Sequence, residues 1–215
     1  MKIVVMGAPG CGKGTQCPAM VERYNVCHLS TGDMLRAAVA DGTENGKRAK
    51  SAMESGALVT DDIVLGIVKD AMQAPECKEG YIIDGLPRTL GQAKLMQESG
   101  IEVDKVISFE VPDEVIVKRT AGRWIHRQSG RSYHTIYNPP KVAEVDDVTG
   151  EPLMQRGDDK EEVVRKRLVT FHNELGPIHD YYKAQGKLSV IDGHREMQAV
   201  RTTIFSLLDP MFKKA

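Results

Sequence analysis

A chain of 215 residues is long enough to bury a sizeable core and points to one domain with room for inserted lobes. Apolar residues make up 41% and charged residues 27%, the balance of a soluble globular protein. A net charge of −1 excludes broad binding to nucleic acid or to an anionic membrane, so the basic groups that matter must be focused in a site.

Lys2-Ile-Val-Val-Met6 is a short apolar run and predicts the first strand. It leads straight into Gly7-Ala-Pro-Gly-Cys-Gly-Lys-Gly-Thr15, and a helix-compatible segment follows. Strand, glycine-rich loop, lysine and hydroxyl in that order make a phosphate cradle. Backbone N–H groups wrap the anion, the helix start adds positive potential, and the lysine supplies a full charge. The loop therefore predicts binding of a nucleoside triphosphate. Gly7, Gly12 and Lys13 fit the pattern G-x-x-x-x-G-K-[ST], but Gly14 takes the hydroxyl position and Thr15 comes one place later. Lys13 is expected to bridge the transferable phosphate and its leaving group, and Thr15 to face Mg²⁺. The four cysteines, Cys11, Cys17, Cys27 and Cys77, show no CxxC spacing, so reduced thiols are expected rather than a disulfide framework. Cys11 sits inside the loop, where positive potential would lower its pKa; the alternative is a small loop filler.

Further β-branched runs recur at Val26–Leu29, Tyr81–Asp84, Lys105–Glu110 and Leu188–Ile191, separated by helix-like stretches. That alternation predicts an α/β protein, a parallel sheet covered by helices on both faces. Ser30-Thr-Gly-Asp33 reads as a helix start, with an acid three places after a hydroxyl. Asp84 ends an apolar strand. In P-loop proteins such an aspartate supports the Mg²⁺ shell; the alternative is a turn or N-cap, since Gly85 follows. Arg88, in Asp84-Gly-Leu-Pro-Arg-Thr89, falls just past that strand on the binding edge of the sheet. Pro112-Asp-Glu114 opens another helix, and the four-residue step from Arg119 to Arg123 predicts one shared helix face.

From about Gly122 to Asp159 the composition changes to turns and short alternations, with Gly130, Asn138-Pro-Pro140, Gly150, Pro152 and Gly157. An inserted lobe in a nucleotide binder is a candidate lid. Trp124 stands at its entrance and Arg156 near its end. Asp158 and Asp159 either latch lid arginines or cap the next helix. From Asp159 to Lys183 the residues Val164, Leu168, Phe171, Leu175, Ile178 and Tyr182 mark one apolar helix face, with Arg167 off that stripe. Gly176-Pro177 predicts a kink or an end there. The closing Lys213-Lys-Ala215 matches no targeting signal. No run approaches the ~20 apolar residues of a membrane span, and a first strand starting at Lys2 argues against a removable presequence. A reducing soluble compartment is expected, the cytoplasm first, with the mitochondrial intermembrane space as the alternative.

A lone surface arginine is a solvated charge. Arg88, Arg119, Arg123, Arg156 and Arg167 instead bracket a phosphate loop and a lid. Guanidinium groups match phosphate oxygens bidentately and keep their charge. Phosphoryl transfer needs such a set, because charge spreads over the equatorial oxygens and the protein mainly positions and neutralises.

At these residues the sequence resembles the adenylate kinases of the long-lid form. The resemblance covers nearly the whole chain and rests on four matches: Gly7–Thr15; Ser30-Thr-Gly-Asp-Met-Leu-Arg36; Asp84-Gly-x-Pro-Arg-Thr89; and a lid with Gly130-Arg-Ser-Tyr-His134, Asn138-Pro-Pro-Lys141 and Asp146-Asp-Val-Thr-Gly150. It implies the reaction MgATP + AMP ⇌ 2 ADP, and a P-loop fold with a five-stranded parallel core (1–29, 60–121 and 160–215), an AMP lobe (30–59) and a β-rich lid (122–159). Lid closure is an established behaviour of adenylate kinases. On the ATP side the resemblance implies Gly10, Cys11, Gly12, Lys13, Gly14 and Thr15 at the phosphates, Arg119 at the base, Arg123 at the phosphates, Ser132 and Tyr133 in the lid, and the backbone of Arg195 near adenine. On the AMP side it implies Thr31, Arg36, Ala57, Leu58, Val59, Gly85, Leu86, Pro87, Arg88 and Gln92, with Arg156 and Arg167 bridging toward the transferring phosphate. A glutamine amide can answer adenine's N6 donor and ring acceptor together; alone, Gln92 would equally be a solvated helix residue. Leu86 departs from the family's usual phenylalanine. Where some relatives bind a lid zinc on four cysteines, this chain has His126, Ser129, Asp146 and Thr149, a set suited to hydrogen bonding, so no structural metal is expected. The resemblance implies a monomer acting on ATP, AMP and ADP, with no nucleic-acid or membrane partner. The alternatives are a GTP-dependent or other nucleoside monophosphate kinase, and a non-catalytic nucleotide-binding module. A switch GTPase would need an Asn-Lys-x-Asp motif, which is absent.

Overall fold

The computed structural model describes residues 1–212; Lys213, Lys214 and Ala215 lie outside the described residues. Strands β1 (Lys2–Gly7), β2 (Cys27–Ser30), β3 (Tyr81–Asp84) and β4 (Lys105–Glu110) join a strand near the C-terminus, Leu188–Asp192, in one sheet. With two further strands between, β5 (Arg123–Ile125) and β6 (Ser132–His134), that last strand is β7. The sheet order is β2-β3-β1-β4-β7 and every pairing is parallel.

Each predicted strand lies within a residue of its expected bounds, because short runs rich in β-branched residues fit a sheet covered by helices. Alternation divides each strand between two cores. Val4, Met6, Ile83 and Val106 face one side, where Leu35, Ala49, Ile63, Val68, Ala93 and Met96 cover them. Ile3, Val5, Ile82 and Ile107 face the other, against Cys17, Met20, Ile116, Ile204 and Leu208. The covering helices are α1 (Lys13–Tyr24), α2 (Thr31–Ala40), α3 (Glu44–Ser55), α4 (Asp61–Ala71), α5 (Leu90–Glu98), α6 (Asp113–Ala121), α7 (Glu161–Ala184) and α8 (Met197–Phe212). Parallel strands put all five carboxyl ends, from Gly7 to Asp192, on one edge, where ligands of open α/β sheets collect.

Three expectations need correction. Arg119 and Arg123 do not share a helix face: α6 stops at Ala121, and Arg123 begins β5. Gly122 is the C-cap of α6, and it packs where a Cβ would meet the His134 ring at 2.6 Å. Pro177 does not end its helix either. α7 runs through it for 24 residues, carried by Val164 and Leu168 in one core and Ile178 and Tyr182 in the other. That burial outweighs the hydrogen bond that proline cannot donate. Finally, Cys27 and Cys77 form a disulfide, with Cα atoms 4.9 Å apart. Cys27 pairs in register with Tyr81, and a 3₁₀ turn, Pro75–Cys77, precedes β3, so the sheet brings together thiols 50 residues apart in sequence. Cys11 and Cys17 are free and buried.

Between β5 and α7 the chain forms small antiparallel pieces. β5 pairs with β6, and isolated bridges link Ile125 to Met154 and Val145 to Pro152.

Candidate active site

The phosphate loop leaves β1 through Gly7, whose φ of 145° is in the region that favours glycine. A Cβ there would meet Cys11 Sγ at 2.6 Å and the Phe109 carbonyl at 3.0 Å, so the turn closes only on glycine. Gly12 caps α1 at φ 108° with no side-chain cap, and a Cβ on it would meet nothing within 4 Å. The helix therefore presents its positive end to open space, the geometry of an anion cradle. Lys13 folds back over that space, its Nζ donating to the carbonyls of Gly7 (2.8 Å) and Ala8 (3.1 Å) and lying 3.6 Å from Cys11 Sγ.

The cradle opens into a cleft of about 1330 Å³, beyond the ~300–1,000 Å³ of a single small-ligand site. Its walls include Gly10, Cys11, Gly12, Lys13, Gly14, Thr15, Asp84, Arg119, Arg123, Ser132, Tyr133 and Arg195. They also include Arg36, Ala57, Leu58, Val59, Gly85, Pro87, Arg88, Arg156 and Arg167. Residues far apart in sequence thus face one space. Thr31, Leu86 and Gln92 lie behind the wall, each at most 2% exposed. Thr31 Oγ1 donates to the Asp84 carbonyl at 3.1 Å. Leu86 packs in the core on the side of α2 to α5. Gln92 is not a solvated helix residue: its Oε1 accepts from the Arg88 N–H at 2.7 Å and its Nε2 donates to Asp61 Oδ1 at 2.7 Å.

The arginines crowd one another. Burial, then the charge of Arg167, pulls the Arg88 guanidinium down to about 10. Burial, then Arg36 and Arg123, does the same to Arg156, also to about 10. Burial also lowers Arg167, although Asp158 opposes the shift. All remain cations at neutral pH, and their mutual repulsion is relieved by any anion that enters. Arg88 is aimed by its own Nε, which donates to the Gly85 carbonyl at 2.7 Å. Arg119 Nη1 donates to the Gly193 carbonyl at 3.2 Å. The Arg195 side chain donates to Thr203 Oγ1 at 3.4 Å, and the residue lines the cleft.

Three aspartates stand among these cations. Asp33 pairs with Arg36 and with Arg156 (3.0 Å), Asp158 with Arg167 (2.6 Å), and Asp159 with Arg123. Asp159 therefore reaches an arginine of the 122–159 segment, whereas Asp158 pairs with Arg167 of α7; Lys160, not an aspartate, occupies the N-cap of α7. Asp33 went unread as a site residue because it also serves the start of α2, where Ser30 Oγ accepts from its N–H. Burial opposes ionisation of Asp33 and Asp158, but the guanidinium groups outweigh it and hold both below the usual carboxylate range. Asp84 behaves alike: burial opposes, while His28 and Lys13 lower it. Burial, then the Asp84 charge, pushes the Cys17 thiol well up.

Between β5 and α7, His126 Nδ1 lies 2.8 Å from Ser129 Oγ, and Thr149 Oγ1 donates to Asp146 at 2.9 Å. Asp146 also accepts from Arg131 Nε (2.8 Å), Tyr133 OH (2.9 Å) and the Thr149 N–H (2.8 Å). Thr149 Oγ1 also lies 3.4 Å from His126 Nε2, which links the two pairs. Glu151 meets His126 Nε2, a partner that no sequence spacing signalled. Tyr137 was missed too; its ring lies 4.5 Å from that of His134, and both line the cleft.

A glycine loop at the end of the first strand of a parallel sheet, a lysine over it, and arginines converging on one cleft define a P-loop nucleotide phosphotransferase. The sequence matches the family model for adenylate kinase over residues 5–187. A protein of Arabidopsis thaliana named adenylate kinase 4 is 49% identical over 207 residues, covering 94% of this chain and 84% of that relative. The chain belongs to the adenylate kinase family and is an enzyme of nucleoside monophosphate phosphotransfer. Among the described residues, no helix is long and apolar enough to cross a membrane.

Proposed function

We propose that the chain catalyses MgATP + AMP ⇌ 2 ADP as a monomer, with residues 30–59 as the AMP lobe and 122–159 as the lid. The carrying observation is the set of desolvated, mutually repelling arginines facing the Lys13 cradle across one cleft. The loop from Gly10 to Thr15 takes the ATP phosphates, while Arg119, Ser132, Tyr133 and the Arg195 backbone take the rest of that nucleotide. Arg36, Ala57 to Val59, Gly85 to Arg88, Thr31 and Gln92 form the AMP side. Gln92 already grips the Arg88 backbone, so adenine binding and arginine aim would be coupled through one amide.

An oxygen of the AMP phosphate attacks the γ-phosphorus of ATP, and the bond to the β–γ bridging oxygen breaks. Lys13 follows the moving phosphoryl group, and Arg88, Arg123, Arg156 and Arg167 neutralise its equatorial oxygens. Thr15 and Asp84 line the cleft and offer only hard oxygen donors, which fits Mg²⁺. When bound, that ion supplies charge neutralisation at the β- and γ-phosphates. The hydrogen-bonded lid, which needs no structural zinc in this reading, excludes water that would otherwise accept the phosphoryl group.

A coupled assay of ADP formation tests the proposal, with GTP as alternative donor and CMP and UMP as alternative acceptors. Fast turnover with ATP plus AMP and slow ADP release without AMP are expected. Equal ADP release with and without AMP would overturn it. For the compartment, the Cys27–Cys77 bond weighs against a reducing cytoplasm and toward the intermembrane-space alternative. Alkylation of free thiols during lysis reads which state exists in the cell.

A further inference from the structure

Alternation along the strands sends three different metal-binding side chains to the same place. His28 pairs in register with Ile82, and Asp84 follows two residues on, so both share the sheet face that α1 covers. Cys17 comes down from α1 onto that face. One sulfur, one imidazole nitrogen and one carboxylate oxygen lie within 4.8 Å of one another. His28 Nε2 is 3.8 Å from Asp84 Oδ2. It is buried and has no hydrogen-bond partner among the described residues, which is costly for a polar atom unless a ligand completes it.

We propose that Cys17, His28 and Asp84 form a binding site for a borderline-soft divalent cation such as Zn²⁺, at the back of the phosphate cradle. Sulfur and imidazole donors select against Mg²⁺, which takes oxygen. Tetrahedral zinc requires donor separations of roughly 3.4–3.6 Å, a modest contraction of the present triangle. Ligation forms three bonds, from Cys17 Sγ, His28 Nε2 and an Asp84 oxygen. The Cys17 thiol proton passes to solvent, and no electron moves. His28 and Asp84 also line the cleft, so the fourth position is open to water or a phosphate oxygen. The lid quartet at His126 plays no part. Because the site takes Asp84, which the proposed function assigns to the Mg²⁺ shell, an ion there inhibits phosphoryl transfer; that consequence rests on the functional reading, while the binding itself does not.

The test uses Co²⁺ as a spectroscopic probe on the full chain without nucleotide. The expected result is saturation at one equivalent, with a thiolate-to-cobalt charge-transfer band in the near ultraviolet and visible bands of tetrahedral intensity. Cys17→Ser should abolish the charge-transfer band, and Cys11→Ser should retain it. His28→Gln should weaken binding at least ~10-fold while leaving a folded protein, which guards against misfolding of the cysteine variant. A band that survives Cys17→Ser, or disappears with Cys11→Ser, would overturn the assignment, as would the absence of any stoichiometric band. Zn²⁺ inhibition that is relieved in His28→Gln supports the consequence, and inhibition unchanged in that variant removes it. A chain that makes ADP normally but shows no cobalt band loses only the metal site, so the two readings fail separately.

Discussion

The arginine cleft and the lid network both assemble charged side chains, but with opposite effect. In the lid, the Asp146 carboxylate is fully buried and fully answered, by Arg131, Tyr133, Thr149 and backbone N–H groups. Those partners hold its carboxyl far below the usual carboxylate range, with Arg131 the largest cause. In the cleft, Arg88 and Arg156 are half-buried beside other cations and titrate lower than normal, so folding disfavours their charge. One region uses charge to hold a lobe together. The other gathers more cations than Asp33, Asp158 and Asp159 can neutralise, which is the electrostatics of an anion site.

The largest expected effect separates the two. Arg88→Met or Arg156→Met should lower kcat about 10²–10³-fold, the usual loss for one well-aimed charge stabiliser. The melting temperature should hold or rise, since removal of a repelled half-buried cation relieves strain. A variant that melts several degrees lower while keeping its kcat would reverse the roles assigned to the cleft. Asp146→Asn should do the opposite. It leaves Arg131 without its carboxylate partner and should lower the melting temperature on the order of 5–10 °C, with less than a ~10-fold change in kcat at saturating substrate. A third substitution tests whether the cleft aspartates stand in for phosphates. Asp33 is half exposed at 49%, so its pairs with Arg36 and Arg156 are weak. Asp33→Asn should free both arginines and lower the KM for the acceptor about 1.5–5-fold; a raised KM would make Asp33 a positioning group instead.

The sheet and the cradle were legible because strong local signals carry them. Continuous apolar runs mark the strands, and a glycine-lysine loop has few other uses. The arginine set was legible as chemistry, though not as placement, since Arg123 lies on a strand where spacing predicted a helix. What the sequence hid depends on the folded arrangement. Cys27 and Cys77 meet only because β2 and the turn before β3 lie side by side. Pro177 stays helical because Val164 and Leu168 in one core and Ile178 and Tyr182 in the other bury the helix on either side of it. Asp33, His28 and Tyr137 are ordinary residues in local terms, and only the partners brought by the fold give them meaning. Gln92 shows the same limit from the other side: its type suggested an adenine contact, and only the fold shows that its amide also engages Arg88 and Asp61.

The smallest effect, and the most specific to the lid, is its response to acid. A carboxyl held below its ordinary pKa contributes stability that is fully present above the unfolded value, ~3.9, and is lost as pH falls through the folded value. Asp33, Asp84 and Asp158 share that direction with Asp146, so acid sensitivity of the whole chain cannot be assigned to one of them. The difference between the wild type and Asp146→Asn isolates the lid. That difference in melting temperature should be flat from about pH 8 to pH 5 and shrink below about pH 4. Trp124, the only tryptophan in the chain, pairs with Tyr133 across the lid strands, so its fluorescence follows the same transition. A difference that persists undiminished well below pH 3 would mean that Asp146 holds the lid by shape and neutral hydrogen bonds. The contrast between a charge-satisfied lid and a charge-frustrated cleft would then survive only on the cleft side.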